Sequence, residues 1–138
     1  MRHSLPLAII LGILCTLGVS AGQTGGGPTA GPPKGKTQRV RFARGRTTAV
    51  LQGAVVRGTQ DRYILGARAG QTMIVHITSR EKNAVFTILS PDATALEGAE
   101  EGTDATDWTG PLPLNGDYSI WVGPTRGNAT YTLEVTIR

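Results

Sequence analysis

Cysteine is almost absent from this 138-residue chain: Cys15, inside an apolar run near the N-terminus, is the only one. The rest of the chain therefore has no disulfide, no thiol nucleophile and no cysteine-based zinc site. Histidine is nearly as scarce, with His3 and His76 the only two. With one imidazole in the body of the chain and no Gly-x-Ser-x-Gly elbow, no Ser/His/Asp arrangement can be assembled, and the chain is not read as an enzyme. No G-x-x-x-x-G-K-[ST] occurs, which removes a P-loop. Aromatic residues make up 5%, too few to line a base-stacking platform, so nucleic acid is not expected as a partner.

Long hydrophobic runs are lacking too, save one. LPLAIILGILCTLGV follows Arg2 and His3 and ends at Val19-Ser20-Ala21, the pattern of an export signal over residues 1–21. The run is shorter than the roughly 20 residues that cross a bilayer, and a polar stretch follows it, so no membrane anchor is expected after cleavage. Residues 22–37, GQTGGGPTAGPPKGKT, show no apolar periodicity and read as a flexible leader. Residues 38–138 then form one domain, in the periplasm or secreted.

Charge is unevenly spread along the rest of the chain, with acid scarce in one stretch and base missing from the next. Residues 34–82 hold 11 Lys or Arg against Asp61 and Glu81, whereas residues 83–125 hold seven acids and no base. Such asymmetry can steer a charged partner if the fold keeps the halves apart. Glu97, Glu100, Glu101, Asp104 and Asp107 lie in an acidic stretch, EGAEEGTDATD, that reads as an exposed, mobile loop. Their spacing matches no EF-hand, so no metal and no cofactor is expected.

What the chain does have is alternation. Val40 and Phe42 share one face of RVRFAR, and TTAVLQGAVV is rich in β-branched residues. Tyr63, Leu65 and Ala67 share a face of DRYILGA, and Met73, Val75 and Ile77 a face of the next run. AVFTIL ends at the Ser90-Pro91-Asp92 turn. DWTGPLPL resembles an edge segment because Pro111 and Pro113 cannot donate ladder bonds. Tyr118, Ile120 and Val122 alternate in YSIWV, and Tyr131, Leu133, Val135 and Ile137 in the last run. About eight strands result, predicting an all-β, eight-stranded antiparallel β-sandwich.

The segments RVRFARGRTTAVLQGAVVRG, DRYILGARAGQTMIVHI, GPLPLNGDYSIWV and TYTLEVTI resemble the periplasmic inhibitor of g-type lysozyme family over residues 38–138. The most specific parts are V-x-F-x-x-G and Y-x-x-x-A-x-A-G-Q; the G-D-Y block is shared with pre-peptidase C-terminal domains. The resemblance implies a sandwich that blocks lysozyme, its protein partner, by inserting loops into the substrate cleft. The alternative is a non-catalytic binding module for carbohydrate or cell-envelope components. The resemblance also implies a tyrosine and arginines at the contact, which in this chain are Tyr63 and Arg126. Its last hairpin is longer and carries a second arginine, whereas here Gly127-Asn128-Ala129 leads straight into the final strand. Tyr63 is either a contact or a core tyrosine, and Arg126 either a contact or a solubilising charge. Trp121, facing away from Tyr118, Ile120 and Val122, is either covered by the acidic loop or open to a partner. Oligomeric state is not legible.

Overall fold

The structure, a computed structural model, describes residues 34–138. The expected export signal and leader residues 22–33 lie outside that range. Eight strands follow in order: β1 Lys34–Arg39, β2 Thr48–Val55, β3 Gln60–Ala67, β4 Thr72–Ser79, β5 Ala84–Leu89, β6 Asp107–Pro111, β7 Gly116–Pro124 and β8 Ala129–Ile137. They make two four-stranded sheets, β1-β3-β7-β5 and β2-β8-β4-β6. The fold is an all-β sandwich, as the alternation predicts.

The inward faces are the apolar faces of the sequence. Tyr63 and Leu65 on β3, Phe86 and Ile88 on β5, and Ile120 and Val122 on β7 pack toward Met73 and Val75 on β4 and Leu133 and Val135 on β8. Each such fully buried side chain stabilises the fold by about 1.5–3 kcal/mol over its exposed state. Residues 34–138 contain no cysteine, so this packing acts without any disulfide within the domain. Register is fixed across the second sheet by the pairing of Leu51 with Leu133 and of Leu133 with Ile77, since a one-residue slip would turn all three outward.

Two expectations are corrected. The first strand is Lys34–Arg39, four residues before the expected domain start at Gln38, and it pairs with β3 in parallel. RVRFAR mostly follows it: Val40 donates its N–H to the Ile64 carbonyl (2.8 Å), and the chain then turns, with Arg46 N–H bonded to Ala43 O (2.8 Å). KGKTQR carries no apolar alternation because it is held by backbone bonds at a sheet edge. The Asp61 carboxyl accepts the Lys36 N–H (2.9 Å) at the irregularity between Lys34 and Thr37.

The acidic stretch keeps Glu97, Glu101, Asp104 and Asp107 exposed, as expected, but its backbone is docked along β5 rather than free. Ile88 N–H donates to Ala99 O (3.0 Å), Leu96 N–H to Ile88 O (3.0 Å) and Phe86 N–H to Ala105 O (3.0 Å). Leu96, Ala99 and Ala105 are buried beneath it. The loop thereby covers a sheet edge that would otherwise present unpaired backbone groups.

Candidate functional site

One end of the sandwich gathers three turns: residues 56–59 between β2 and β3, 80–83 between β4 and β5, and 125–128 between β7 and β8. Arg126 occupies the third. The turn closes through Gly127, whose φ of +56° is a left-handed conformation that glycine adopts without a Cβ clash.

Asn83 ties the turns together from below. It is 3% exposed, and its Nδ2 donates to the carbonyls of Arg126 (2.8 Å) and Asn128 (3.0 Å). Its own carbonyl accepts the Thr125 N–H (2.8 Å). Ser79 Oγ accepts the Asn83 N–H (2.9 Å), anchoring the asparagine to β4. On the other side, Asn128 Oδ1 accepts the Arg57 N–H (2.8 Å). The Arg126 guanidinium is exposed and donates through Nη2 to the Glu81 carbonyl (3.1 Å). The salt bridges among the described residues, Arg39–Asp117 and His76–Asp107, do not include it. Arg57, Arg80 and Lys82 are exposed on the neighbouring turns, with Glu81 the acid among them.

Beneath these turns lies a buried polar chain. Tyr131 Oη donates to Asp61 Oδ2 (2.6 Å), so the proton in the 2.6 Å contact between the two tyrosine hydroxyls comes from Tyr63. Burial, followed by the hydrogen bonds to Asp61 and Tyr63, pushes the Tyr131 hydroxyl far above its ordinary pKa. Gly53 faces this group, and a Cβ there would stand 2.5 Å from the Tyr131 hydroxyl. Lys36 Nζ lies 5.5 Å from the centre of the Tyr63 ring, within cation–π range.

Tyr63 is therefore a core residue. It is 0% exposed, has a satisfied hydroxyl and offers no surface to a partner. Trp121 lies on the outer face of its sheet, half-buried, with the Arg62 guanidinium carbon 5.3 Å from its ring centre. Arg62 is held there by bonds from Nε (3.2 Å) and Nη2 (3.0 Å) to Ser119 Oγ. Glu101 and Asp104 of the docked loop flank the ring's other surroundings, as does Thr125 of the Arg126 turn. Trp121 is thus partly covered, and it borders the end that carries Arg126.

His76 is bonded through Nδ1 to the Asp107 carboxylate on the outer face of the second sheet. Among the described residues no three His, Cys, Asp or Glu side chains gather to hold a metal ion. The residues that sequence reasoning missed are Asn83 and Asp61. Asp61 had a signal, because it shares the two-residue period of Tyr63 and Leu65 on the buried face of β3. Asn83 had none, since the partners of its side chain lie more than 40 residues away.

No protein-family model matches the sequence, and neither does any curated protein. Among solved structures, PliG of Aeromonas hydrophila, a periplasmic inhibitor of g-type lysozyme, is 33% identical with a TM-score of 0.65, over 75% of this chain and 96% of that one. The chain belongs to the PliG family. PliG of Salmonella Typhimurium is 25% identical with a TM-score of 0.60, over 75% of this chain and 99% of the other. A pre-peptidase C-terminal domain of a Bacillus anthracis collagenase, at 13% identity and a TM-score of 0.56, shares the fold alone. The two PliG proteins are periplasmic inhibitors of g-type lysozyme. Against the hairpin expected of the PliG family, the turn here offers one arginine, but two other turns bonded to it bring Arg57, Arg80 and Lys82 to the same end.

Proposed function

We propose that this protein, exported to the periplasm or beyond, inhibits a g-type lysozyme by seating the Arg126 end of the sandwich in the enzyme's substrate cleft. The observation that carries this reading is an exposed guanidinium, outside the salt bridges found among the described residues, on a turn whose backbone is fixed by the buried Asn83. A muramidase cleft holds catalytic carboxylates, and a guanidinium fork pairs with a carboxylate through two charge-assisted bonds. Because the turn is already ordered, little conformational entropy is lost on docking.

The shortened hairpin leaves Arg126 as its one cation, and the neighbouring turns make up the charge. Arg57, Arg80 and Lys82 raise the positive potential facing an acidic cleft, which speeds encounter. Trp121 borders the contact beside Thr125 and adds apolar area at its rim. Its ring is partly occupied by Arg62, which leaves less open face than a sugar platform needs and disfavours the carbohydrate-module alternative.

The test is inhibition of g-type muramidase activity by the purified exported protein, compared with Arg126→Ala. Wild type is expected to inhibit at micromolar concentration or below. Removing Arg126 from a desolvated charge pair is expected to cost about 2–5 kcal/mol of binding. Absence of inhibition by wild type at micromolar protein sinks the reading, and an Arg126→Ala variant of full potency moves the contact elsewhere.

A further inference from the structure

The end of the sandwich opposite Arg126 holds a second concentration of arginine that inhibition leaves unused. Arg41, Arg44 and Arg46 lie between β1 and β2, Arg68 on the turn between β3 and β4, and Arg138 after β8; all are exposed. None of the five takes part in the salt bridges found among the described residues. Two acids stand at this end and both are already engaged. Asp117 accepts a fork from Arg39, at 3.1 Å from Nη1 and 2.9 Å from Nη2, and Asp92 takes up the Ser90 hydroxyl and the Thr94 N–H.

Arg46 and Arg68, from separate segments, line one open cleft of about 390 Å³ together with Phe42, Ala67 and Ile137. Those three apolar residues pack against the core and form its floor. The walls are fixed. Ile137 N–H donates to Thr47 O (2.9 Å), and Arg68 N–H to Gln71 Oε1 (2.7 Å). The adjoining turn, tied on by a bond from Ala69 N–H to Asn115 Oδ1 (2.8 Å), carries Leu114, one of the large hydrophobic residues left exposed.

Two guanidinium groups over an apolar floor, ringed by further cations and an exposed leucine, match a phosphate ester joined to an acyl chain. The fork geometry suits phosphate oxygens, and the floor suits the methylenes beside them. Each cation held at an anionic lipid surface multiplies partitioning about five-fold. We propose that this end docks on an anionic phospholipid surface, with a headgroup phosphate in the Arg46/Arg68 cleft. The arginines and the apolar floor lie at the surface of the sandwich, so the docking proposed is peripheral. The eight- and nine-residue strands separate the two ends by about 27–30 Å, so a lipid-docked molecule keeps Arg126 facing away from the surface.

The experiment is co-sedimentation of the purified exported protein with phosphatidylglycerol/phosphatidylcholine vesicles, with pure phosphatidylcholine vesicles as the neutral arm. Expected are binding to the anionic vesicles, loss of binding as salt rises, and a drop on the order of 20-fold for Arg46→Ala/Arg68→Ala. Arg57→Ala/Lys82→Ala, which removes the same charge from the other end, leaves partitioning within about two-fold; unchanged melting by circular dichroism verifies folding of both variants. Equal binding to neutral vesicles overturns the proposal, as does an equal loss from both double variants, which would mean net charge alone. Binding of inorganic phosphate without vesicle binding also overturns it. No lysozyme enters the measurement, so its outcome is independent of the inhibitory reading.

Discussion

The two ends of the sandwich carry the same kind of charge on differently built ground. At the Arg126 end the turns rest on buried polar groups: Asn83 holds two of them, and the chain of Asp61, Tyr131 and Tyr63 lies beneath. At the opposite end the support is apolar, with Phe42, Ala67 and Ile137 under the arginines. The buried hydroxyls there serve their own turns: Ser90 donates to Asp92, and Tyr118 donates to Leu114 O (2.8 Å) and accepts the Leu114 N–H (3.0 Å). Each bond made by a buried polar group limits the arrangements of what lies above it, and Asn83 makes two through Nδ2, although its Oδ1 has no protein partner among the described residues. An apolar floor constrains volume but not direction. The first construction holds one cation at one place; the second spreads several cations around a cleft.

The sharpest way to break this comparison is to remove the polar support from each end and compare the losses. Asp61→Ala strands the Tyr131 hydroxyl and the Lys36 amide, and the expected loss is about 3 kcal/mol of unfolding free energy in urea. Tyr118→Phe at the other end removes a hydroxyl whose partners lie near solvent, with an expected loss of about 1 kcal/mol. Equal losses would mean that the Arg126 end is no more dependent on its polar interior than its counterpart.

A smaller effect separates holding Arg126 from merely having it. Asn83→Ala keeps the arginine and frees its turn, so stability is expected to fall by about 1–2 kcal/mol and the inhibition constant to rise about ten-fold through the entropy of re-ordering the turn. Arg57→Ala, which leaves the Arg57 N–H bond to Asn128 intact, serves as the control and is expected to act mainly on the association rate. An Asn83→Ala variant with unaltered inhibition would show that the clamp is structural only.

How much of this was legible beforehand follows the physics of each residue. The strands with an apolar face, β2 to β5 and β7 to β8, were readable because burial writes a two-residue period into Tyr63-x-Leu65 or Leu133-x-Val135. β1 was not, because KGKTQR is held by its backbone and buries no side-chain pattern. The docking of the acidic loop was hidden for a related reason: Ala99 and Ala105 are too small to signal burial, and their carbonyls, which bond β5, belong to no side chain. Arg126 was legible as an exposed cation at a glycine turn. Tyr63 entered as a contact candidate through the family resemblance, while its shared face with Leu65 already allowed a core tyrosine; the buried Asp61–Tyr131 pair that satisfies its hydroxyl decides for the core.

The smallest expected effect belongs to the one charged pair that spans the arginine-rich end. Arg39 and Asp117 are both more than half exposed, and the hydrogen bond from Arg39 holds the Asp117 carboxyl below its ordinary pKa. A carboxyl with a depressed folded-state pKa contributes stability above its unfolded value, near 3.8, and loses it as pH falls through the lower folded value. Asp117→Asn is therefore expected to melt slightly below wild type at pH 7, with the gap closing as pH falls from 3.8 through the lower folded-state value. Solvent screening keeps that gap small, and 1 M salt narrows it further. The same substitution frees Arg39 at the lipid-facing end, so it is expected to raise partitioning onto anionic vesicles while lowering stability. A variant that lost both would place Asp117 in the architecture of the cleft rather than in its charge balance.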